Sequence, residues 1–344
     1  LQEYYALDNE QRRNFLNNVQ LFEAYTSTLQ DQQHYRGGMT WQQVADKTYL
    51  VRTIDARTKK SLGARTAATE SLYTRFYAEK ASVNERINTL QAQIQRQSKV
   101  CRALNLGRIP RLTGNILRHL ATLQLDQKTT TIIGTHALYA YEAMAGVQFK
   151  NDILATNDLD VLWDARSRLK IASQIPPEGM IAILKKVDQS FTIMDRARYR
   201  AINKAGFMVD MIRDMVDMRT NPSASFTLDD AFVAVEADMK WLISSPKTRS
   251  VTLDEDGYPV PMSVPDPRAF ALHKFWLSSK MDRDPLKKPR DLAQSIAVIK
   301  IIEDYLPQYA FSEKALRMFP KRLVMQNSAQ ITKQKPSSST PSFK

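Results

Sequence analysis

Asp158 and Asp160 stand one residue apart in NDLDVLWD, and the Val161-Leu162-Trp163 that follows them has the apolar character of a buried strand. Side chains alternate along a strand, so these two acids project from one face with α-carbons roughly 7 Å apart. Two ionised carboxylates held side by side repel each other. The arrangement persists mainly where a divalent cation, most simply Mg²⁺, bridges them. Taken alone, the same pattern also suits a solvated turn or a helix cap.

The neighbouring segments add to it. Upstream, the Thr-rich apolar run KTTTIIG ends at Gly134-Thr135 and opens into a helix. Backbone N–H groups, a hydroxyl and the positive end of a helix together suit a phosphate oxygen, although an ordinary strand-to-helix turn has the same letters. His136 follows directly, placed either to touch a phosphate or to cap and fill space locally. Downstream, AGFMVDMIR puts Asp210 on a strand with Met208 and Ile212 on its side and Phe207, Val209 and Met211 on the other. An acid in so apolar a run is expensive to desolvate unless it meets a cation or hydrogen-bond donors. Asp210 is therefore a natural third carboxylate for a metal site.

The elements that must position these residues are partly legible. From Thr66 to Leu106 no Pro or Gly interrupts the chain, and Leu72, Phe76, Val83, Ile87, Leu90, Ile94 and Cys101 recur at helical spacing. This predicts a long amphipathic helix or helix pair, whose stripe covers a neighbouring domain or, as a second use, joins two copies into an oligomer. TGNILRHLATLQL predicts a short helix, and strands are expected at 129–133, 159–163 and 206–213, with a helix at 135–146 and helical or irregular sequence at 177–189. Tyr139, Tyr141 and Trp163 read as core. Asp256-Gly257 between alternating runs predicts a hairpin. Asp266-Pro267 is a helix start, with a second helix over RDLAQSIAVIKIIEDYL. The organisation expected is a helical region at 1–107, an α/β core at 108–265, a helical region at 266–324 and a disordered tail at 325–344, too poor in apolar residues to offset its ordering entropy. The fold class is α+β.

Composition narrows the chemistry. The chain has 344 residues, 43% of them hydrophobic, and a formal net charge of +13, which attracts polyanions such as nucleic acid or nucleotide triphosphates. The single cysteine excludes an intramolecular disulfide and a cysteine-built zinc site, and the four histidines are scattered. No stretch has the length and apolarity of a membrane span, and no basic-then-apolar leader is legible; a cytoplasmic protein with no membrane partner is expected. A Ser-His-Asp set, a P-loop and a dinucleotide fingerprint are all missing. The basic run LKKPR at 286–290 suits either a solvated loop or the lining of a channel for an anionic acceptor.

Gly-Thr at a helix start, Asp-x-Asp on a strand and one acid on a later strand is an order that resembles the polymerase-β-like nucleotidyltransferase superfamily. Within it, GTHALYAYEAMAGV…ATNDLDVLWD is similar to a little-characterised bacterial family with the nucleotidyltransferase fold. The resemblance runs over most of residues 40 to 305. It implies a mixed sheet with helices, in which Asp158 and Asp160 bind Mg²⁺ or Mn²⁺. Asp210 would complete one metal site and help to activate the attacking hydroxyl. Gly134, Thr135 and His136 would lie at the triphosphate of an NTP such as ATP, and Lys274, ahead of Arg290-Asp291, matches a Lys…Arg-Asp pattern and would face a phosphate. Many members carry Gly-Ser or Gly-Gly where this chain has Gly134-Thr135, and the interval from Gly134 to Asp158 is longer than the common one; Thr keeps the hydroxyl. The activity implied is nucleotidyl transfer to an acceptor hydroxyl on RNA such as tRNA, on a protein or on a small molecule. The alternative is a fold that has lost turnover and binds nucleic acid or a partner through its basic helical arm.

Overall fold

The computed structural model describes residues 3–55, 57–126, 129–163, 179–214, 234–236, 242, 244–317, 319–321 and 323–325. The chain divides into two compact units, one comprising Leu1–Asn9, Gly107–Glu255 and Val260–Lys344, the other Glu10–Leu106 and Asp256–Pro259. The tail expected to be disordered lies, beyond Met325, outside the described residues.

Strand β1 (Tyr4–Ala6) opens the chain and pairs within the first unit. The second unit is helix α1 (Asn9–His34), strands β2 (Gly38–Val44), β3 (Lys47–Thr53) and β4 (Lys59–Ala64), and helix α2 (Ala67–Ala103). The predicted long helix is one continuous element, started by a capping box in which Thr66 accepts from the Thr69 backbone N–H. It buries Phe76, Ile87, Leu90, Ile94 and Cys101 of the expected stripe. The region predicted as helical also carries an antiparallel sheet in the order β2-β3-β4. Its inward face defeats a simple alternation rule: Met39, Trp41, Leu50 and Leu62 gather round Phe76, but Arg52 shares that side, its guanidinium 4.2 Å above the Phe76 ring. A cation in a core-facing register erases the period-two signal.

The first unit continues through α3 (Arg111–Thr122), β5 (Thr130–Ile133), α4 (Ala137–Ala145), β6 (Val147–Phe149), α5 (Asn151–Leu154), β7 (Asp158–Trp163), α6 (Gly179–Val187), β8 (Thr192–Met194), β9 (Ala197–Ile202), β10 (Met208–Asp214) and β11 (Ala234–Glu236). The hairpin strands β12 (Lys247–Leu253) and β13 (Pro259–Pro265) follow, then α7 (Pro267–Ser279), α8 (Lys288–Tyr305), a 3-10 turn at Pro307–Tyr309 and α9 (Glu313–Leu316). Helix α7 begins as expected, with Asp266 accepting from the Arg268 backbone N–H and Pro267 in the first turn, a cap worth about 1 kcal/mol.

The central sheet is mixed, ordered β5-β7-β10-β9-β8, with β11 also on β10; β7 and β10 are parallel, while β5 and β9 flank them antiparallel. On one face Leu159, Val161, Val209 and Met211 enter the large core with Leu138 and Tyr141 of α4 and Val298 and Ile302 of α8. Tyr141 is fully buried and its hydroxyl donates to the Pro265 carbonyl at 2.9 Å, so the polar tip is satisfied in the interior. Tyr139 and Trp163 also belong to this core. The opposite face is split along its length between apolar and acidic residues, and that division builds the site.

Candidate functional site

Period-two alternation sends Asp158, Asp160 and Leu162 of β7 to the face opposite the large core, and Asp210 and Ile212 of β10 to the same side. The parallel register sets Asp210 beside Asp160 and Ile212 beside Leu162. Leu162 and Ile212 pack with Ile133, Ala269 and Leu272 in a small apolar cluster. The other end of the same face is acidic, with Asp158 and Asp160 half-buried and Asp210 only 6% exposed. All three carboxylates line one cleft of about 420 Å³.

Gly134 is required by the shape of this wall. Its φ is +66°, and a β-carbon there would overlap the Asp160 carboxylate. Thr135 is buried and reaches the cleft, its Oγ1 accepting from Gln294 Nε2 at 3.2 Å, while the same nitrogen donates to the Ile153 carbonyl at 2.7 Å. The backbone N–H groups of Ala137, Leu138 and Tyr139 bond back to the carbonyls of Gly134, Thr135 and His136. These amides are thus committed within the first turn of α4. His136 does not line the cleft: it is buried, with Nε2 3.3 Å from Thr113 Oγ1 and its ring beside Tyr139 and Phe207. Burial lowers its pKa to about 4, against the opposing pull of Asp158, so at neutral pH it is uncharged.

Cations line the cleft alongside the acids. Lys274 of α7 is buried, and its Nζ donates to Asp291 Oδ1 at 2.9 Å. Arg283 reaches the other oxygen of Asp291 through Nε at 2.8 Å and a terminal nitrogen at 2.7 Å. Asp291, in the first turn of α8, is wholly buried, so it serves as the shared counter-ion of two cleft cations rather than as a solvated helix-end charge. Burial lowers the Lys274 pKa, opposed by Asp291 and by the field of Asp160. Arg290 is tied through Nη1 to the Ala155 carbonyl at 2.7 Å, and Lys287 is exposed at the rim. Of the run 286–290, Lys287 and Arg290 line the cleft while Leu286 is exposed.

Arg200, on β9 opposite Asp210, holds that carboxylate at both oxygens: Nε to Oδ1 at 2.7 Å and Nη2 to Oδ2 at 2.6 Å. The pairing raises the Arg200 pKa further. Asp158 Oδ1 accepts from the Thr156 hydroxyl. Among the described residues no three acidic, histidine or cysteine side chains are arranged to hold an ion together. Both oxygens of Asp210 are bonded to Arg200. Asp158 and Asp160, adjacent oxygen donors on one face of an open cleft, do fit a divalent ion.

The structure therefore gathers Thr135, Asp158, Asp160, Asp210, Lys274 and Arg290 around one space, with Gly134 and Asp291 immediately behind it, and leaves His136 outside. Sequence reasoning missed Arg200, Arg283 and Tyr199, which also line the cleft. A signal for Arg200 existed in ARYRAINKAGFMVD, where a short turn separates a basic strand from the acidic one. Arg283 lies in a polar loop whose letters suggest only solvent.

The nucleotidyltransferase family matches residues 111–319, more than half of the chain. Among solved structures the chain is similar to an antigenic nucleotidyltransferase-like protein from Paracoccidioides brasiliensis, at 14% identity and a TM-score of 0.33, over 67% of this chain and 97% of that one. A superposition that loose assigns no role to any residue of this chain. No curated protein matches the chain.

Proposed function

The chain belongs to the nucleotidyltransferase family, and on that premise we propose that it moves a nucleoside monophosphate from an NTP to an acceptor hydroxyl in this cleft. The observation that carries the reading is the grouping of Asp158, Asp160 and Asp210 with Lys274, Arg283, Lys287 and Arg290 around about 420 Å³, room for a nucleotide's phosphates.

Asp158 and Asp160 are the residues that would hold Mg²⁺ or Mn²⁺, since like charges so placed need a counter-charge. When bound, such an ion neutralises developing phosphoryl charge and lowers the pKa of the acceptor hydroxyl. The cations of α7, α8 and the loop between them hold the triphosphate and stabilise the departing pyrophosphate. Thr135 accepts from Gln294 and so keeps its own proton for a phosphate oxygen. The acceptor oxygen attacks the α-phosphorus, the bond to the bridging oxygen breaks as pyrophosphate leaves, and the acceptor proton passes to Asp210 once a carboxylate oxygen is freed from Arg200.

The net charge of +13 supports an RNA end, such as that of a tRNA, as acceptor. Incubation of the protein with each labelled NTP, Mg²⁺ or Mn²⁺ and cell extract, followed by fractionation, tests both parts. Label is expected in RNA. Label in protein or small molecules would replace the acceptor, and no label with any nucleotide and metal would remove the transferase reading.

A further inference from the structure

Asp210 has the position of a third ligand and the bonding of a residue already in use. It lies beside Asp160 in register, is 6% exposed, and has both oxygens engaged by one guanidinium at 2.7 and 2.6 Å. A bidentate pair of this kind satisfies the carboxylate's charge and its directional acceptor sites together. A cation approaching Asp160 would have to compete with Arg200 for Asp210. Arg200 is not locked in place by burial: its side chain is 26% exposed and itself lines the cleft. It also feels Asp158, so the basic group stands within the field of a second acid of the cluster.

We propose that Arg200 is the resting counter-ion of Asp210 and exchanges partners when the substrate arrives. In the nucleotide-free protein Arg200 occupies Asp210, which suppresses metal binding before the nucleotide arrives. An entering triphosphate offers the guanidinium a new anion, and the divalent ion that accompanies it offers Asp210 a new cation. Both charges remain compensated throughout. This makes Arg200 a positioning residue that ties assembly of the metal site to the presence of the nucleotide. The proposal rests on the nucleotidyltransferase reading of the cleft.

The test is Mn²⁺ binding to the full chain without nucleotide, followed by the electron paramagnetic resonance signal of free Mn²⁺. Arg200→Gln should bind Mn²⁺ about tenfold more tightly than the parent, because it releases a third carboxylate to the site. The double variant Arg200→Gln/Asp210→Asn should return to the parent affinity, and Asp210→Asn alone, which strands the Arg200 charge beside Asp158, should weaken binding by less than Asp160→Asn does. Arg200→Lys, which keeps the charge but not the bidentate fork, should fall between parent and Gln and serves if the Gln variant folds poorly. NTP affinity should fall in both Arg200 variants. The proposal is overturned if Arg200→Gln does not tighten Mn²⁺ binding, or if Asp210→Asn alone weakens it as much as Asp160→Asn does. Loss of Mn²⁺ binding in Asp160→Asn reports on the Asp158–Asp160 pair irrespective of Arg200, so the two ideas fail separately.

Discussion

The Asp160 carboxylate occupies the space in which a β-carbon at residue 134 would stand, so Gly134 and Asp160 determine each other. The glycine at the end of β5 makes room for that carboxylate through its lack of a side chain. Gly134→Ala is therefore expected to act in two ways. The left-handed φ of +66° disfavours any L side chain by about 1 kcal/mol, and the added methyl displaces Asp160. Urea unfolding should show that loss or more, and Mn²⁺ binding should weaken at least tenfold; a variant with parental metal affinity would separate the two residues.

Asp160→Asn should leave folding nearly intact, because it removes one of three like charges from a partly open face. Turnover should drop by two to four orders of magnitude, in the range seen when a major electrostatic group is lost, and chelation of divalent ions with EDTA should silence the parent protein similarly. Single-turnover transfer from labelled NTP, run beside a thermal melt, measures both. Near-normal turnover would remove Asp160 from the chemistry.

Asp291 is the one counter-ion that Lys274 and Arg283 share among the described residues. Replacing it with Asn strands a buried ammonium, and a loss of about 3–5 kcal/mol is expected. Lys274→Met leaves Asp291 paired with Arg283 and should be milder in stability while raising the KM for NTP. Denaturant midpoints and nucleotide calorimetry on the two variants give the comparison, and an Asp291→Asn protein as stable as the parent would contradict the shared-counter-ion role.

His273, stacked on Trp276 with ring centroids 5.8 Å apart, has its pKa lowered to about 3 by burial and then by the adjacent Lys274 charge. Its unfolded value is about 6.5. Between those limits the unfolded chain binds the extra proton, so stability falls as pH drops below about 6.5, by up to about 1.4 kcal/mol per pH unit. His273→Phe keeps an aromatic ring against Trp276 and removes the titration. The stability difference between parent and variant should change steadily from pH 7 to pH 4, and a pH-independent difference would assign the acid limb elsewhere.

Much of the site was legible because its signals are local. Alternation around Asp158, Asp160 and Asp210 is readable from a few consecutive residues, and it correctly assigns all three to one side of their strands. The start of α7 at Asp266-Pro267 and the uninterrupted run of α2 are equally local. His136 illustrates the limit: its place after the Gly-Thr turn suggests a phosphate contact, but the first turn of α4 points it at Thr113. Arg52 over the Phe76 ring likewise hid the small sheet of the second unit, because a cation packed on an aromatic ring looks in sequence like a solvated residue.

By itself the chain's order of residues determined the mixed α+β character, the position of the acids on strands and the face they share, since these follow from periodicities of two and 3.6 residues. Only the tertiary structure decided which cations meet those acids. Arg200, Arg283 and Lys287 come from a neighbouring strand and a distant loop, and the pairing of Arg200 with Asp210 depends on a strand register that no local pattern encodes. The physical reason is that a carboxylate's partner is chosen by distance and desolvation across the folded chain, while its own direction is set by the backbone next to it.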